Sequence, residues 1–415
     1  MRQDNRWTVR CRGQEAVEEA RRSVDEVLRE GAQRMLQRAI EAEVADHLER
    51  HLAERDPKTG RRLVVRNGSL PEREILCAIG PIAIEQPRVR DGRPGKRFTS
   101  AILPPYLRRA PSLEALIPAL YLKGVSTNDF PDALSSILGE GARGLSASTI
   151  VRLKESWQAE YRAWADRDLT GKRYVYFWAD GIYFNVRLGD ERPCALVIVG
   201  ATEDGTKELV ALLDGERESA LSWKELLLDL KRRGLEEGPR ISVGDGALGF
   251  WAALDEVFPR SRRQRCWVHK TANVLDKMPR SLQLAAKAML HRMYQAATKK
   301  EALAVYDDFV ALYGAKCPRA AACLEKDKED LFAFYDVPAE HWMHLRTTNP
   351  IESTFATVRH RHRQTKGCGS RIATLAMVHK LTLEAQKHWR KLNGHELIAK
   401  VVGGVRFKDG LEVAA

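Results

Sequence analysis

The sequence predicts a multidomain fold in which an α/β domain with a mixed sheet is combined with largely helical regions. Helical periodicity dominates the first part of the chain, and at Gly171 it changes to runs of aromatic and β-branched residues that are typical of strands. From Leu275 to Phe334 the pattern is helical again without a strand signal, which indicates an all-helical insertion. After His341 the chain is helical and strongly basic.

These changes of pattern divide the 415 residues into segments with different predicted structures. The segments are an N-terminal helical region (1–60), a β-hairpin and linker (61–110), a helix-turn-helix-like region (111–170), the first part of the α/β domain (171–274), the helical insertion (275–340) and the C-terminal helices of the α/β domain (341–415). The α/β domain is therefore predicted to be discontinuous in the sequence.

The first predicted helix covers residues 14–54, where an irregular apolar stripe alternates with charged residues. Pro57 and Gly60 end this helix, and EREILCAIGPIAIEQPRVR then predicts a β-hairpin that turns at Gly80-Pro81. The apolar stripe needs a packing partner. It consists of Val17, Val24, Leu28, Met35, Ile40, Val44 and Leu48.

Residues 112–164 have the pattern of a helix-turn-helix, with helices in SLEALIPALYLKG, STNDFPDALSSILG and ASTIVRLKESWQAEYRAW. The apolar side of the third helix leaves Thr149, Arg152 and Lys154 facing outward. Such a helix fits a DNA major groove, and the alternative is an ordinary helical bundle. Pro131 inside the second helix weakens the groove-reading interpretation.

The α/β domain begins with strands predicted in RYVYFWAD, IYFNVRL and CALVIVGAT, the last of them extended by KELVALLDGE. An amphipathic helix in SALSWKELLLDLKRRG, a short buried strand in RISVGD, a helix in GALGFWAALDEVF and a further strand in RQRCWV follow. Three strands, a helix, a strand, a helix and a strand predict a mixed sheet.

Composition and charge restrict the function classes. The chain is 44% hydrophobic and 30% charged, as expected of a folded protein, and its net charge of +12 favours a polyanionic partner such as nucleic acid. Seven cysteines without a C-x-x-C pair and the lack of an apolar leader or bilayer-spanning stretch predict a soluble cytoplasmic protein without a membrane partner. The lack of a G-x-x-x-x-G-K-[ST] motif disfavours an ATP-driven motor.

Three acidic residues are candidates for catalysis, and each also has a structural interpretation. Asp180 precedes Gly181 between two apolar runs, which is a strong hairpin signal. Asp245 ends RISVGD, where an N-cap is the alternative. Glu352 falls at the third position of a helix that starts with Asn349 as N-cap and Pro350, as in a capping box.

Their joint placement favours a metal site. If the strand that ends at Asp245 is parallel to the one that ends at Asp180, both carboxylates lie at carboxyl ends of neighbouring strands, where α/β proteins place their sites. Glu352 can approach from a helix packed on the same edge. Two Asp and one Glu would hold two Mg²⁺ ions about 4 Å apart, as an in-line attack on a phosphodiester requires.

A basic helix face follows Glu352. Arg359, Arg363 and Lys366 lie on the same face as Glu352 by the 3.6-residue period, and no acidic residue occurs from Arg359 to Arg371. Solvated helix faces usually mix charges of both signs, so this face favours contact with a DNA backbone. The alternative is a solvated basic helix.

Three blocks, ADGIYFNVR, VGDGALGF with FPRSRRQRCWVHKTANVLDKMP, and TTNPIESTFATVRHRHRQTKG, resemble in residues and order the signature blocks of the Mutator-type transposases of bacterial insertion sequences. LPPYLRR, ALYLKGVSTND and LSASTIVRL resemble the DNA-binding region of that family, so the resemblance extends from Gly31 to Trp389. It implies a ribonuclease-H-like catalytic domain with a helical insertion before the last acid. By these blocks, Asp180, Asp245 and Glu352 are its catalytic, metal-binding triad, with two Mg²⁺ ions for which Mn²⁺ can substitute.

The family pattern also contains a Cys or Asp separated by two residues from a His, here Cys266 and His269. Two ligands are too few for a zinc site. A buried strand-end Cys followed by a His that begins a helix is the alternative to a role near the DNA. The chain departs from the family at Pro350, where Ala is common, and at Asp180-Gly181, where Asp-Ala is frequent, and neither departure removes a ligand.

The resemblance implies a transposase that binds the terminal inverted repeats of its element as a homodimer and cuts and joins DNA strands. Water attacks a phosphodiester at the element end, and the freed 3′-hydroxyl then attacks another strand. A structure-selective nuclease on the same fold is one alternative, which would not need the long N-terminal part. A domesticated DNA-binding regulator is the other, in which the acids would be eroded.

Overall fold

The structure is a computed structural model that describes residues 5–105, 107–108, 110, 120, 125, 147–184, 194–215, 217–364 and 370–413. It divides into two units, Met1–Val151 and Arg152–Ala415. Within the described residues, no helix combines the length and the apolar character needed to cross a membrane.

The described residues up to position 105 form a long helix, α1 (Asn5–Arg50), and two antiparallel strand pairs. Strand β1 (Val64–Ser69) pairs with β4 (Pro87–Asp91), and β2 (Arg73–Cys77) pairs with β3 (Gly80–Ile84). Buried apolar residues join α1 to the β2–β3 hairpin and the segment after β4, namely Ile40, Ile75, Ile82, Ile84 and Leu103. The apolar stripe of α1 therefore finds its partner only in part, since Val24, Leu28 and Met35 remain exposed.

The predicted hairpin exists, but its turn lies two residues earlier than predicted. Cys77 pairs with Gly80, so Ala78-Ile79 forms the turn and Gly80 begins β3. Gly80 has φ +101°, and the Arg29 side chain packs over it while donating a hydrogen bond to the Ile79 carbonyl at 3.1 Å. The strand β1 was not predicted.

Only the third helix of the predicted helix-turn-helix lies within the described residues, as α2 (Ala147–Ala165). Apart from Leu120, the residues of the other two helices, including Pro131, fall outside them. On α2, Trp157 and Tyr161 of the predicted apolar face are buried.

The second unit is built on a five-stranded mixed sheet with the order β7-β6-β5-β8-β9, which confirms an α/β architecture. Strands β5 (Tyr174–Tyr183), β6 (Cys194–Thr202) and β7 (Lys207–Gly215) are antiparallel neighbours. Strands β8 (Ile241–Gly244) and β9 (Arg262–Arg265) continue the sheet in parallel orientation on the other side of β5.

The structural alternative for Asp180-Gly181, a hairpin turn between two strands, is wrong. Asp180 pairs with Val197 and Gly181 with Leu196, so RYVYFWAD and the start of IYFNVRL form the single strand β5. KELVALLDGE is not an extension of the third strand but the separate strand β7. A long partner strand satisfies the backbone across Asp-Gly, and this pairing outweighs the local turn preference.

Helices cover both faces of the sheet. On one face, α3 (Ala220–Arg232) and α4 (Leu248–Val257) pack on Phe177, Ala179 and Leu196. On the other face, the Trp178 indole donates to the His344 carbonyl at 2.8 Å, and Tyr176 contacts His341. The central strand β5 is therefore buried on both sides.

The chain after β9 is helical, as predicted from Leu275 to Phe334. Its helices are α5 (Trp267–Leu275), α6 (Arg280–Gln295), α7 (Lys299–Tyr313), α8 (Pro318–Glu325), α9 (Lys328–Leu331), α10 (Trp342–Leu345), α11 (Asn349–Gln364), α12 (Arg371–Gln386) and α13 (Ile398–Val402). The predicted strand RQRCWV is shorter than expected because Cys266 already caps α5. A small hairpin of β10 (Phe407–Lys408) and β11 (Leu411–Glu412), which was not predicted, follows α13.

Candidate functional site

Two of the predicted acids meet beside the central strand. The parallel pairing of β5 and β8 ends at Ala179 and Gly244, and Asp180 and Asp245 directly follow these two residues in the sequence. Asp180 is not at a strand end, since β5 continues to Tyr183. The parallel orientation of β8 thus brings both carboxylates to one point of the sheet, as predicted for neighbouring strands.

A third carboxylate, that of Glu218, joins them. One oxygen from each of Asp180, Glu218 and Asp245 lies within 4.8 Å of the other two. Glu218 lies in the connection between β7 and α3, directly before Ser219, the N-cap of α3. Glu218 was not predicted as a site residue, because nothing in GERES distinguishes it from the neighbouring Glu216.

Asp180 is the most buried acid of this group, with 9% of its surface exposed. Its Oδ1 accepts a hydrogen bond from the Gly181 amide at 2.8 Å. Burial, and then the negative charges of Asp245 and Glu218, raise the pKa of Asp180 to about 7. Burial followed by the charge of Asp245 also raises the pKa of Glu218.

Asp245 is not the N-cap that the sequence suggested. Helix α4 begins at Leu248 and is preceded by Ala247, while the Asp245 Oδ1 accepts the Ala247 amide at 2.8 Å. Gly246 between them has φ +88° and lies under the Arg265 side chain. The left-handed turn at Gly246 separates Asp245 from the helix and leaves its carboxylate beside Asp180.

Glu352 lies in the first turn of α11, whose N-cap is one residue earlier than predicted. Because α11 begins at Asn349, the preceding residue is Thr348, whose hydroxyl donates to the Glu352 carboxylate. The Glu352 amide donates to the Thr348 carbonyl at 3.0 Å. Thr348 rather than Asn349 therefore orients this carboxylate.

The structure groups Glu352 with Cys266 and His269, with one ligand atom of each within 4.8 Å of the others. Cys266 is fully buried, and the Thr348 hydroxyl lies 3.3 Å from its sulfur. His269 Nδ1 lies 3.7 Å from a Glu352 oxygen. The predicted triad is thus divided: Asp180 and Asp245 form one group with Glu218, and Glu352 belongs to a neighbouring one.

His269 connects these two groups electrostatically. Its hydrogen bond to Cys266 raises the pKa of His269 to about 9 against the opposing effect of burial, and the charges of Glu352 and Asp180 act in the same direction. Its positive charge in turn favours the ionised forms of Asp180 and Glu218. Cys266 and His269 are therefore part of the surroundings of the acids.

The predicted DNA-contacting residues are described only in part. Arg359 on α11 is exposed, and its guanidinium lies 5.8 Å from the centre of the Phe355 ring. Arg363 lies on α11 without a described side chain, and Lys366 is outside the described residues. On α2, Arg152 is exposed and Lys154 half-buried, whereas the side chain of Thr149 is not described.

Comparison with known proteins gives consistent matches over most of the chain. The sequence profile described as "Transposase, Mutator family" matches residues 5–392. The chain is 52% identical over 298 residues to the transposase for insertion sequence element IS6120 of Mycolicibacterium smegmatis, which covers 72% of this chain and 92% of that protein. It is 49% identical over 287 residues to the transposase for insertion sequence element IST2 of Acidithiobacillus ferrooxidans, covering 68% of this chain and 95% of that protein.

A more distant match spans nearly the whole length. The transposase for insertion sequence element ISRM5 of Rhizobium meliloti is 28% identical over 380 residues, which cover 91% of this chain and 92% of that protein. The similarity therefore includes both units of the structure.

Proposed function

This chain belongs to the Mutator family of transposases, and we propose that it binds the terminal inverted repeats of an insertion sequence and cuts and joins DNA strands there by a two-metal mechanism. The observation that carries the proposal is the meeting of Asp180 and Asp245 where two parallel strands stop pairing. Glu352 completes the proposed acidic triad from α11, which packs against β5.

The sheet supports the ribonuclease-H-like domain that the family resemblance implies. Three antiparallel strands are followed by two parallel ones, and the central strand carries the first acid. In this proposal, residues 171–274 and 341–415 form the catalytic domain, and 275–340 form its helical insertion. Residues 1–60, 61–110 and 111–170 form the DNA-binding part of a homodimer that pairs two element ends.

The donor atoms suit Mg²⁺ or Mn²⁺. Carboxylate oxygens are hard ligands of the kind these ions prefer, and three of them converge here at a partly buried position. Backbone amides hold one oxygen each of Asp180 and Asp245, which restricts the rotation of both carboxylates. When bound, two such ions supply the positive charge that activates the attacking oxygen and stabilises the leaving one.

In this proposal, side chains around the acids orient the carboxylates, and a basic helix face positions the DNA. Thr348 orients Glu352, and the cationic His269 offsets part of the negative charge of the carboxylates. The basic face with Arg359, Arg363 and Lys366 would hold the phosphate backbone beside them. Hydrolysis at the element end and attack by the freed 3′-hydroxyl are both displacements at phosphorus, so one site serves both steps.

The test is cleavage and joining of a labelled inverted-repeat duplex by the full chain in Mg²⁺ or Mn²⁺. Asp245→Asn and Glu352→Gln should bind the duplex but lose both activities by at least about 10³-fold, the scale of a lost essential electrostatic group. Glu225→Gln, at an exposed position of α3, is the charge-matched control. Cutting without joining would support a nuclease, and binding without cutting by the parent protein would support a regulator.

A further inference from the structure

We propose that Glu218 is a fourth acidic residue of this site and ligates a divalent metal ion together with Asp180 and Asp245. This inference rests on the proposed function. The three carboxylates come from strand β5, from the connection between β7 and α3 and from the turn after β8, and they lie within 4.8 Å of one another, whereas Glu352 is grouped with Cys266 and His269. Glu218 is therefore the acid best placed to share an ion with Asp180 and Asp245.

Gly181 provides the space in which the Glu218 carboxylate lies. A Cβ atom at position 181 would overlap the Cγ, Cδ and Oε1 atoms of Glu218. Gly181 lies inside β5, paired with Leu196, and it is not among the glycines with positive φ. Its backbone conformation therefore does not require glycine. The Glu218 side chain does, because it passes too close to leave room for a Cβ atom at position 181.

A second glycine, Gly249, allows the backbone at Glu218 to pack closely against α4. A Cβ atom on this residue, in the first turn of α4, would lie 2.6 Å from the Glu218 carbonyl oxygen and 2.7 Å from the Ala220 nitrogen. Because these are backbone atoms, they cannot move aside as a side chain can. The start of α3 is thus packed against the start of α4, next to the turn that carries Asp245.

The chemistry of the cluster fits a divalent cation. Three carboxylates at this separation repel one another when ionised, and partial burial strengthens the repulsion. An ion bound among three anionic oxygens relieves the repulsion, and each oxygen that is removed weakens its binding.

The experiment measures Mn²⁺ binding to the full chain without DNA, by isothermal titration calorimetry. Glu218→Gln should weaken Mn²⁺ affinity at least about tenfold, on the scale by which changes around metal sites act. Glu225→Gln should bind Mn²⁺ like the parent. Gly181→Ala should also weaken binding, because its methyl group displaces the Glu218 carboxylate.

The double variant tests whether these two changes act through the same contact. If they do, Glu218→Gln with Gly181→Ala should lose no more Mn²⁺ affinity than Glu218→Gln alone, because the effects of coupled residues are not additive. Melting temperatures recorded alongside identify any variant that has not folded.

Parental Mn²⁺ affinity in Glu218→Gln would overturn the inference. If Asp180→Asn and Asp245→Asn lose Mn²⁺ binding and cleavage while Glu218→Gln keeps both, the proposed function stands and only the role of Glu218 fails. If Asp180→Asn and Asp245→Asn also bind Mn²⁺ and cleave DNA like the parent, the proposed function itself fails.

Discussion

Asp180 is held in an environment that disfavours its charge. It is almost completely buried, and its nearest charged neighbours include two further carboxylates, so its pKa rises from the ordinary value of 3.8 to about 7. An ionised, buried carboxylate with like charges beside it destabilises a folded protein unless a cation binds there. This cost is the physical reason to regard Asp180 as a functional residue.

The variant Asp180→Asn tests whether Asp180 is a metal ligand or only a structural residue. Asn has nearly the same shape and its side-chain oxygen can still accept the Gly181 amide, so Asp180→Asn should fold and bind element-end DNA. It lacks the anionic oxygen that binds Mg²⁺, so cleavage and joining should fall by at least about 10³-fold. A strand-cleavage assay with melting temperature alongside decides this, and a variant that cuts like the parent would make Asp180 a structural residue only.

The raised pKa of Asp180 also predicts a pH dependence of stability in the metal-free protein. Between the unfolded pKa near 3.8 and the folded value of about 7, the folded state binds more protons, so the free energy of unfolding falls as pH rises through this window. Asp180→Asn removes the effect. In EDTA at pH 8 its melting temperature should exceed that of the parent by a few degrees, with no excess at pH 4.

Addition of Mn²⁺ at pH 8 should reverse this order, because the ion stabilises the parent more than the variant. Glu225→Gln should follow the parent at every pH. Equal melting temperatures of Asp180→Asn and the parent in EDTA at pH 8 would show that Asp180 carries no such penalty.

At the scale of elements, α11 combines an acid and a basic face on one anchored helix. Ile351, Phe355 and Val358 are fully buried and fix the helix, which packs against β5 and β6. With the helix oriented in this way about its axis, Glu352 is half-buried and Arg359, two turns later, is exposed. A duplex that follows the exposed side of α11 would thus reach the acids at its first turn.

Neutralising this basic face should weaken DNA contact without changing the metal site. Replacing Arg359, Arg363 and Lys366 together by Ala should reduce DNA affinity and cleavage, and lower the salt dependence of binding by about one unit of slope per lost phosphate contact. Mn²⁺ titration of the variant should match the parent. Unchanged cleavage would mean that these side chains face solvent and do not contact DNA.

At the scale of the whole molecule, α2 crosses the boundary between the two units. Its second half packs within Arg152–Ala415, where the Tyr161 hydroxyl donates to the Leu212 carbonyl at 2.9 Å and Trp164 contacts the His379 ring. The net charge of +12 is that of the whole chain and does not show which part binds DNA. Separate fragments of the chain are needed to assign DNA binding to one part.

We expect residues 1–170 alone to bind element-end DNA, with affinity that falls steeply as salt concentration rises, because phosphate contacts dominate such binding. A gel-shift titration at several KCl concentrations measures this, with residues 152–415 as the comparison so that both fragments keep the part of α2 that packs on the sheet. Binding carried wholly by residues 152–415 would contradict the expectation.

Features that depend on residues adjacent along the chain could be predicted from the amino-acid sequence. Amphipathic periodicity located α3, α4 and the helical insertion, and runs of aromatic and β-branched residues located the segments that form the sheet, but not the extent of β5 or the separate strand β7. The residue blocks around Asp180, Asp245 and Glu352 identified the family, which the profile over residues 5–392 confirmed.

Features that depend on pairing between distant residues became visible only in the folded chain. Only the ladder between β5 and β6 shows that Asp180-Gly181 lies inside a strand, because backbone pairing with β6 outweighs the local turn preference. Only the packing of α3 against α4 brings Glu218 to Asp180 and Asp245, and only the contact between Thr348 and Cys266 places Glu352 beside His269. These approaches join residues far apart in the sequence, and no local pattern records them.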